Sequence, residues 1–446
     1  MNNSFRKGMD RRRYLLSTVA LLPVVAGCTM GNDTTEDSES TPTPSPEDVP
    51  TADGRPTPEP PPGKFESIDE EAVWAFEPST EIQSYALGED IYVETARSLA
   101  RVSPTGALEW TVDSPSETYN LSVNGGSIYS TAFGGSVTAR DTTSGERQWN
   151  QKLDTGQLVL TEVTEGTVFA HVTNDDPGVF PLFALDADTG AERWRTETGM
   201  VMRSAVSHGR CLTWSTVDGL SAFGVDTGER QWRDDPISSG YARSLLTVGD
   251  VLCVSIEGTV FGYALPGGTK RWELSVPDNV EIVRKAPSGF SYPNRIYVAD
   301  DSGNLLAVET TSGVELWLTG PKGKPASGYP GLAIGPKSVV HRTENVLTAY
   351  DSVDGDRRWA HSTDIHAEPG QPVVATDTIY HPVVRDDGTL AVNVFDLETG
   401  RRRWLARIGS GEYPPRPIGV RGGHLLLKSA DTIYGVPTDG DGAATQ

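Results

Sequence analysis

Apolar positions in this chain come in short runs, and the runs recur in a fixed order. Triplets of β-branched and aromatic residues stand at 91 ("IYV"), 128 ("IYS"), 168 ("VFA"), 296 ("IYV") and 379 ("IYH"). Each is followed by a polar turn and a second apolar run, as in "DDSGNLLAVE" from residue 300. Runs of this kind, bounded by Gly, Asp and Asn, read as strands joined by tight hairpins. A further turn leads to a strand carrying tryptophan, and an apolar lead strand precedes each triplet. The pattern therefore predicts units of four short antiparallel strands, with no segment that sustains a helical period.

The units repeat. Nine of the ten tryptophans (Trp74, Trp110, Trp149, Trp194, Trp232, Trp272, Trp317, Trp359 and Trp404) follow one another at intervals of 36 to 45 residues. From the second onward, a glycine stands four positions earlier: Gly106, Gly145, Gly190, Gly228, Gly268, Gly313, Gly355 and Gly400. Glycine supplies the positive φ that a tight hairpin requires, and the Asp or Thr before it can bond the local backbone. Tryptophan offers a large apolar face with one N–H donor, suited to filling the gap between one unit and the next. Units of about forty residues with four strands each are the blades of an all-β, single β-propeller.

The chain ends complete the pattern. After Trp404, "PIGV", "HLLLK" and "TIYGV" supply three strands, Gly440 takes the turn-glycine slot, and Ala444 stands where a tryptophan is due. Trp74 has Glu70 in place of the glycine, so it marks an outer strand without its blade. Pairing the two ends is expected to close the ring and remove its open edges. Eight full units plus one split blade make nine.

The pattern A-x-D-x-x-T-G-x-x-x-W, seen in "ALDADTGAERW" at 184–194, resembles the pyrroloquinoline quinone (PQQ) type of propeller repeat over residues 71–440. The resemblance implies eight blades, the usual number in that family, against the nine counted here, and both numbers stand at this point. It covers quinoprotein dehydrogenases as well as a BamB-like branch of non-catalytic lipoproteins, so the repeat alone does not carry function. The alcohol-oxidising members hold their quinone beside adjacent cysteines, with calcium and an Asp base. Here the cysteines are Cys28, Cys211 and Cys253. PQQ and calcium are accordingly disfavoured, and no catalytic, cofactor-binding or metal-binding residue is expected. The resemblance implies a binding or scaffolding module. The alternatives are a PQQ-dependent, quinoprotein-like oxidoreductase and a solute-binding lipoprotein, the latter usually built of two α/β lobes that this strand-rich chain lacks.

Other candidate chemistry has bland explanations. Cys211 and Cys253 sit on second strands at an odd offset, which turns them to opposite faces as two buried, inert thiols. His208 and Cys211 have ligand-like spacing, but zinc needs three or four protein ligands. The Asp-rich stretches at 300 and 385 read as hairpin turns rather than calcium loops. Functional residues are expected where units differ: "NDDPGVFP" at 174–181, "PKGKPASGYP" at 321–330 and "SGEYPPRP" at 410–417.

The N-terminus changes the address. Arg11, Arg12 and Arg13, then Tyr14-Leu15-Leu16 and an apolar stretch to "VVAGC", form a twin-arginine signal running into a lipobox, residues 1–27. The stretch is too short to span a bilayer and contains Pro23. Resemblance to secreted lipoproteins implies cleavage before Cys28 and a lipid on its thiol, which anchors the chain at the outer face of the cytoplasmic membrane. Residues 28–70, rich in Pro, Thr, Ser and acidic side chains, are expected to be a disordered stalk, and 441–446 a disordered tail. N-glycosylation sequons begin at Asn32 and Asn120. A net charge of −23 excludes nucleic acid as a partner. With 29 Arg to nine Lys, the acidic chain resembles secreted proteins of halophilic archaea, in which salt screens self-repulsion. The expected partners of a monomer of this kind are envelope or cell-surface proteins, or a surface polymer, at the propeller faces.

Overall fold

Each apolar triplet becomes the second strand of a four-stranded antiparallel sheet. Ile91–Thr95 is buried at all five positions, between the lead strand Ile82–Leu87 and the third strand Ser98–Val102. The outermost strand, Leu108–Asp113, shows side chains to solvent at alternate positions, as a strand covered on one face does. The computed structural model describes residues 66–67 and 73–438, except for 115–117, 133, 154, 165, 175–179, 216, 235–240, 277–279, 286–293, 321–330, 344–345 and 363–366. Every element among these residues is a strand.

The sheets number nine, so the repeat count holds and the family's usual eight does not. Blades 1 to 8 span residues 82–113, 118–152, 157–198, 201–234, 242–275, 280–319, 331–362 and 367–410. Blade 9 is the reason for the difference, because it is assembled in addition to the eight full units. Arg416–Arg421, His424–Ser429 and Thr432–Pro437 give it three strands, and Trp74–Phe76 adds the fourth, antiparallel, with Trp74 opposite Gly435. Blade 8 departs from the common plan in two ways. Its lead strand is split into Ala367–Pro369 and Val373–Ala375, and Glu66–Ser67, from the stretch expected to be stalk, lies parallel to its outermost strand.

The core is distributed around the ring. One apolar cluster spans each seam, from Leu99 with Ile128 between blades 1 and 2 to Ile433 with Ile91 between blades 9 and 1. Each sheet is buried on both faces by its neighbours, which explains why the second and third strands read as nearly continuous apolar runs. Cys211 lies in the cluster between blades 3 and 4, and Cys253 in the one between blades 5 and 6. Both thiols are free, and burial raises their pKa, that of Cys253 to about 12.

Candidate functional site

The repeat motif forms a lock between neighbouring blades. A Cβ placed on Gly190 would lie 2.5 Å from the indole of Trp149, and one on Gly228 would lie 2.5 Å from that of Trp194. The same contact joins Gly106 to Trp74, Gly145 to Trp110, Gly268 to Trp232, Gly313 to Trp272, Gly355 to Trp317 and Gly400 to Trp359. The glycine of each unit therefore receives the tryptophan of the preceding blade. All eight glycines have φ between +66° and +86°, so both conformation and contact require the absence of a side chain. From Trp110 to Trp359, the indole N–H then donates to the carbonyl three residues before that glycine. Trp149 reaches Ala187 at 2.9 Å, Trp194 reaches Val225 at 2.7 Å and Trp359 reaches Leu397 at 3.0 Å. Trp317 is the exception. Its Nε1 has no protein acceptor among the described residues, and the matching carbonyl, that of Ser352, accepts from Arg295 Nη1 at 2.5 Å.

Carboxylates of the motif are structural too. Asp186 Oδ2 accepts from Arg193 at 2.8 Å, while Oδ1 accepts from the Thr189 hydroxyl at 2.8 Å and amide at 3.0 Å. These bonds, Arg193 first, hold the carboxyl at about 2. Asp396 repeats the arrangement with Arg403 and Thr399.

Other singled-out residues are dispersed. His208 lies in an exposed turn with φ of 52°, whereas Cys211 faces the seam. No group of three His, Cys, Asp or Glu able to hold a metal occurs among the described residues. Asp300 accepts from the amides of Ser302 and Asn304, as its hairpin role requires. His171, His341 and His381 are buried in second strands, and desolvation pushes them down to about 4, 4 and 3. The sequon at Asn120 is corrected by its surroundings. The side chain is 1% exposed, donates to the Leu160 carbonyl, and accepts from the Leu160 amide and the Thr131 hydroxyl, so the folded chain offers it to no glycan. Asn32, Arg11, Arg12 and Cys28 lie outside the described residues.

The two faces of the ring differ. Hairpins joining strands one and two bond to those joining strands three and four, as in Thr142 N to Gly126 O and Val225 N to Gly209 O, so the turns that carry the motif glycines share one face. The opposite face carries the hairpins between strands two and three and the crossings to the next blade. All three variable stretches join strands on this second face, although 175–179 and all of 321–330 lie outside the described residues. In the third, Tyr413 is 67% exposed. Four blades away, the same face shows features that the variable stretches did not single out: exposed Tyr241, and Arg203 and Arg243 at the starts of adjacent lead strands. Arg203 Nε donates to the Arg243 carbonyl at 3.3 Å, and burial, then the Arg243 charge, lowers its pKa. Exposed Tyr and Arg are the side chains over-represented at binding hot spots. A hint in the sequence is "GYAR" at 240, which puts an aromatic and an arginine together at a crossing between blades.

Similarity to known proteins agrees with the architecture. A relative named outer membrane protein assembly factor BamB, from Burkholderia pseudomallei, is 25% identical over 251 residues, 53% of this chain and 62% of its own length. The match therefore spans about six-tenths of that relative. A tetrathionate hydrolase of Acidithiobacillus ferrooxidans is 21% identical over 58% of each chain. Among solved structures, the computationally designed Ika8 protein superposes with a TM-score of 0.52 at 13% identity, covering 72% of this chain and 96% of the other, a likeness of fold alone. A family model described as outer membrane protein assembly factor BamB matches at 67–172, 94–207, 135–317 and 257–416. Since those matches run through eight of the nine blades, the chain belongs to this family of PQQ-type repeat propellers.

Proposed function

We propose that the protein is a lipid-anchored, extracytoplasmic propeller that binds envelope or surface proteins and catalyses no reaction. The observation that carries the reading is the asymmetry of the faces. One is a ring of similar turns whose backbone groups bond to each other, and the other gathers the variable segments with exposed Tyr413 and, four blades away, exposed Tyr241 beside Arg203 and Arg243. Tyrosine supplies rigid contact area, and a partly desolvated arginine gains from an acidic or carbonyl-bearing partner. Relatives named as assembly factors support a scaffolding mode of action. The lipobox at Cys28 behind Arg11 and Arg12 supports the address.

Photo-crosslinking residues placed at 241 and 413 in intact cells test this directly. The expected result is a small set of discrete crosslinked proteins, lost when Arg203 and Arg243 are both changed to Glu. Absence of any crosslinked partner, together with saturable binding of PQQ by absorbance titration, overturns it in favour of a quinoprotein-like enzyme. Separately, Cys28→Ser is expected to move the protein from the membrane fraction to the medium, and retention of the variant in the membrane overturns the anchor.

A further inference from the structure

Copies of one blade in one chain provide their own internal standard, and blade 6 departs from blades 1 to 5 at the rim. Its outermost strand, Glu315–Thr319, pairs inward with Leu305–Glu309 and ends its sheet, which leaves a row of backbone groups facing outward. Folded proteins guard such edges with charge. Blades 1 to 5 do so, placing polar or charged side chains on both sides of the rim tryptophan, for example Gln148 and Asn150, or Arg193 and Arg195. Blade 6 has Leu316 and Leu318 there, 39% and 47% exposed, preceded by Val314 at 56%.

The neighbouring blade continues the patch. Trp317 packs toward Gly355 of blade 7, so Leu318, next in the strand, points back toward blade 5. Trp272 of blade 5 packs toward Gly313 of blade 6, and Leu274, two residues on, lies on that same side against the seam cluster. Blades 2, 3 and 4 have Gln151, Thr196 and Asp234 at the position of Leu274. An apolar groove beside a strand edge that is unpaired among the described residues thus occurs at the rim where blades 5 and 6 meet.

The ring already shows that this architecture accepts an extra strand, since Glu66–Ser67 pairs with the outermost strand of blade 8. The chain's own stalk is a poor occupant for blade 6, because residues 29–64 hold almost no large apolar side chain. A second copy is equally poor. Four apolar side chains fall well short of the roughly 1,000 Å² that a stable interface buries. We infer that the free edge of blade 6 captures an extended segment of a partner polypeptide, one with alternating apolar side chains, which adds as a fifth strand and seats those side chains in the groove lined by Leu274, Leu316 and Leu318. Backbone bonding supplies affinity and the groove supplies selectivity, as in other strand-addition complexes. The inference rests on the binding-module reading but uses a different surface.

The test uses the folded, signal-free protein and a fluorescent nine-residue peptide of alternating valine and threonine. Saturable binding is expected by anisotropy. The double variant Leu316→Arg/Leu318→Arg, which copies the arginines of blade 3, should weaken it about tenfold or more while leaving the melting temperature unchanged. The same peptide N-methylated at alternate backbone nitrogens should bind about as poorly, which separates strand addition from plain apolar contact. Lack of saturable binding, binding by the double variant within twofold of the parent, or equal binding of the methylated peptide overturns the inference. A concentration-dependent dimer that the double variant abolishes overturns it in favour of a second copy. Crosslinking at 241 and 413 with the double variant reports on the loop face alone, so failure at either surface is told apart from failure at the other.

Discussion

Two glycines in blade 5 separate the demands that the repeat makes on this residue. Gly249 has φ of +56° with nothing within 4 Å of an added Cβ, whereas Gly268 has φ of +66° and the Trp232 indole within 2.3 Å of one. Gly249→Ala should cost only the left-handed conformation, about 1 kcal/mol. Gly268→Ala adds a collision with the neighbouring blade and should cost about 3 kcal/mol by urea denaturation. Equal losses would show that the turn alone sets the requirement. The indole N–H can be weighed in the same way. Trp194→Phe removes a 2.7 Å bond and Trp317→Phe removes none, so the first should be the more destabilising by about 1 kcal/mol. The buried histidines set a pH limit. His171, His341 and His381 titrate near 4, 4 and 3 in the fold against about 6.5 when unfolded, so the unfolded chain binds more protons in that window. Their contribution is complete above about pH 6.5 and lost as pH falls toward 4. The urea midpoint should drop across this range, and His381→Leu should flatten the slope. Sequence displays the glycine and the tryptophan but not their true pairing. The spacing of four joins residues of one unit, whereas the contact joins Gly268 to a tryptophan one unit earlier. For the same reason a sequon at Asn120 looks available until the Leu160 strand is packed against it.

Among the elements, alternation and turn chemistry made the four-strand blade legible, because strand period and glycine placement are local properties. What distinguishes one blade from another was less so. The interrupted lead strand of blade 8 and the added Glu66–Ser67 depend on pairing with Thr378–Arg385 and Arg402–Ser410, partners remote in sequence or set by register. The leucines of blade 6 were visible as letters, but their exposure followed only once Trp317 was seen to face blade 7. The odd offset of Cys211 and Cys253 did survive. They occupy different seams, fully buried, with raised pKa values. Neither thiol should react with a disulfide reagent in the native state, and both should react together on unfolding. Reaction of one alone under native conditions would reveal local opening of its seam.

At the scale of the molecule, the ring and its count could be read from the tryptophan series, since each blade contributes one and the ends complement each other. The candidate face could be read only in part. Segments that break the repeat are easy to find in sequence, but Tyr241, Arg203 and Arg243 come together only through the stacking of blades 4 and 5. Charge belongs to this scale as well. With 61 acidic and 38 basic residues, closing the ring concentrates like charges that the unfolded chain disperses, and salt relieves the repulsion. The melting temperature should climb steeply between dilute buffer and molar potassium chloride. A flat response would mark an ordinary acidic protein.

Blade 9 places a timing constraint on the life of the chain. Its outer strand, Trp74–Phe76, is made before blades 1 to 8, and the strands it joins are made after them. The Ile82 amide bonds to the Asp431 carboxylate across 349 residues of sequence. Blades 1 to 8 can stack in order as they emerge from the ribosome, but the final seam must wait until Thr432–Pro437 has been made, with the early strand still free. Loop closure over such a span is slow relative to local pairing, although its entropy grows only logarithmically. A chain threaded across a membrane during synthesis would reach the far side as an open spiral with two exposed ends. One that crosses after release would arrive sealed. The split blade thus makes closure of the ring a late step, one that Trp74–Phe76 and Thr432–Pro437 take together.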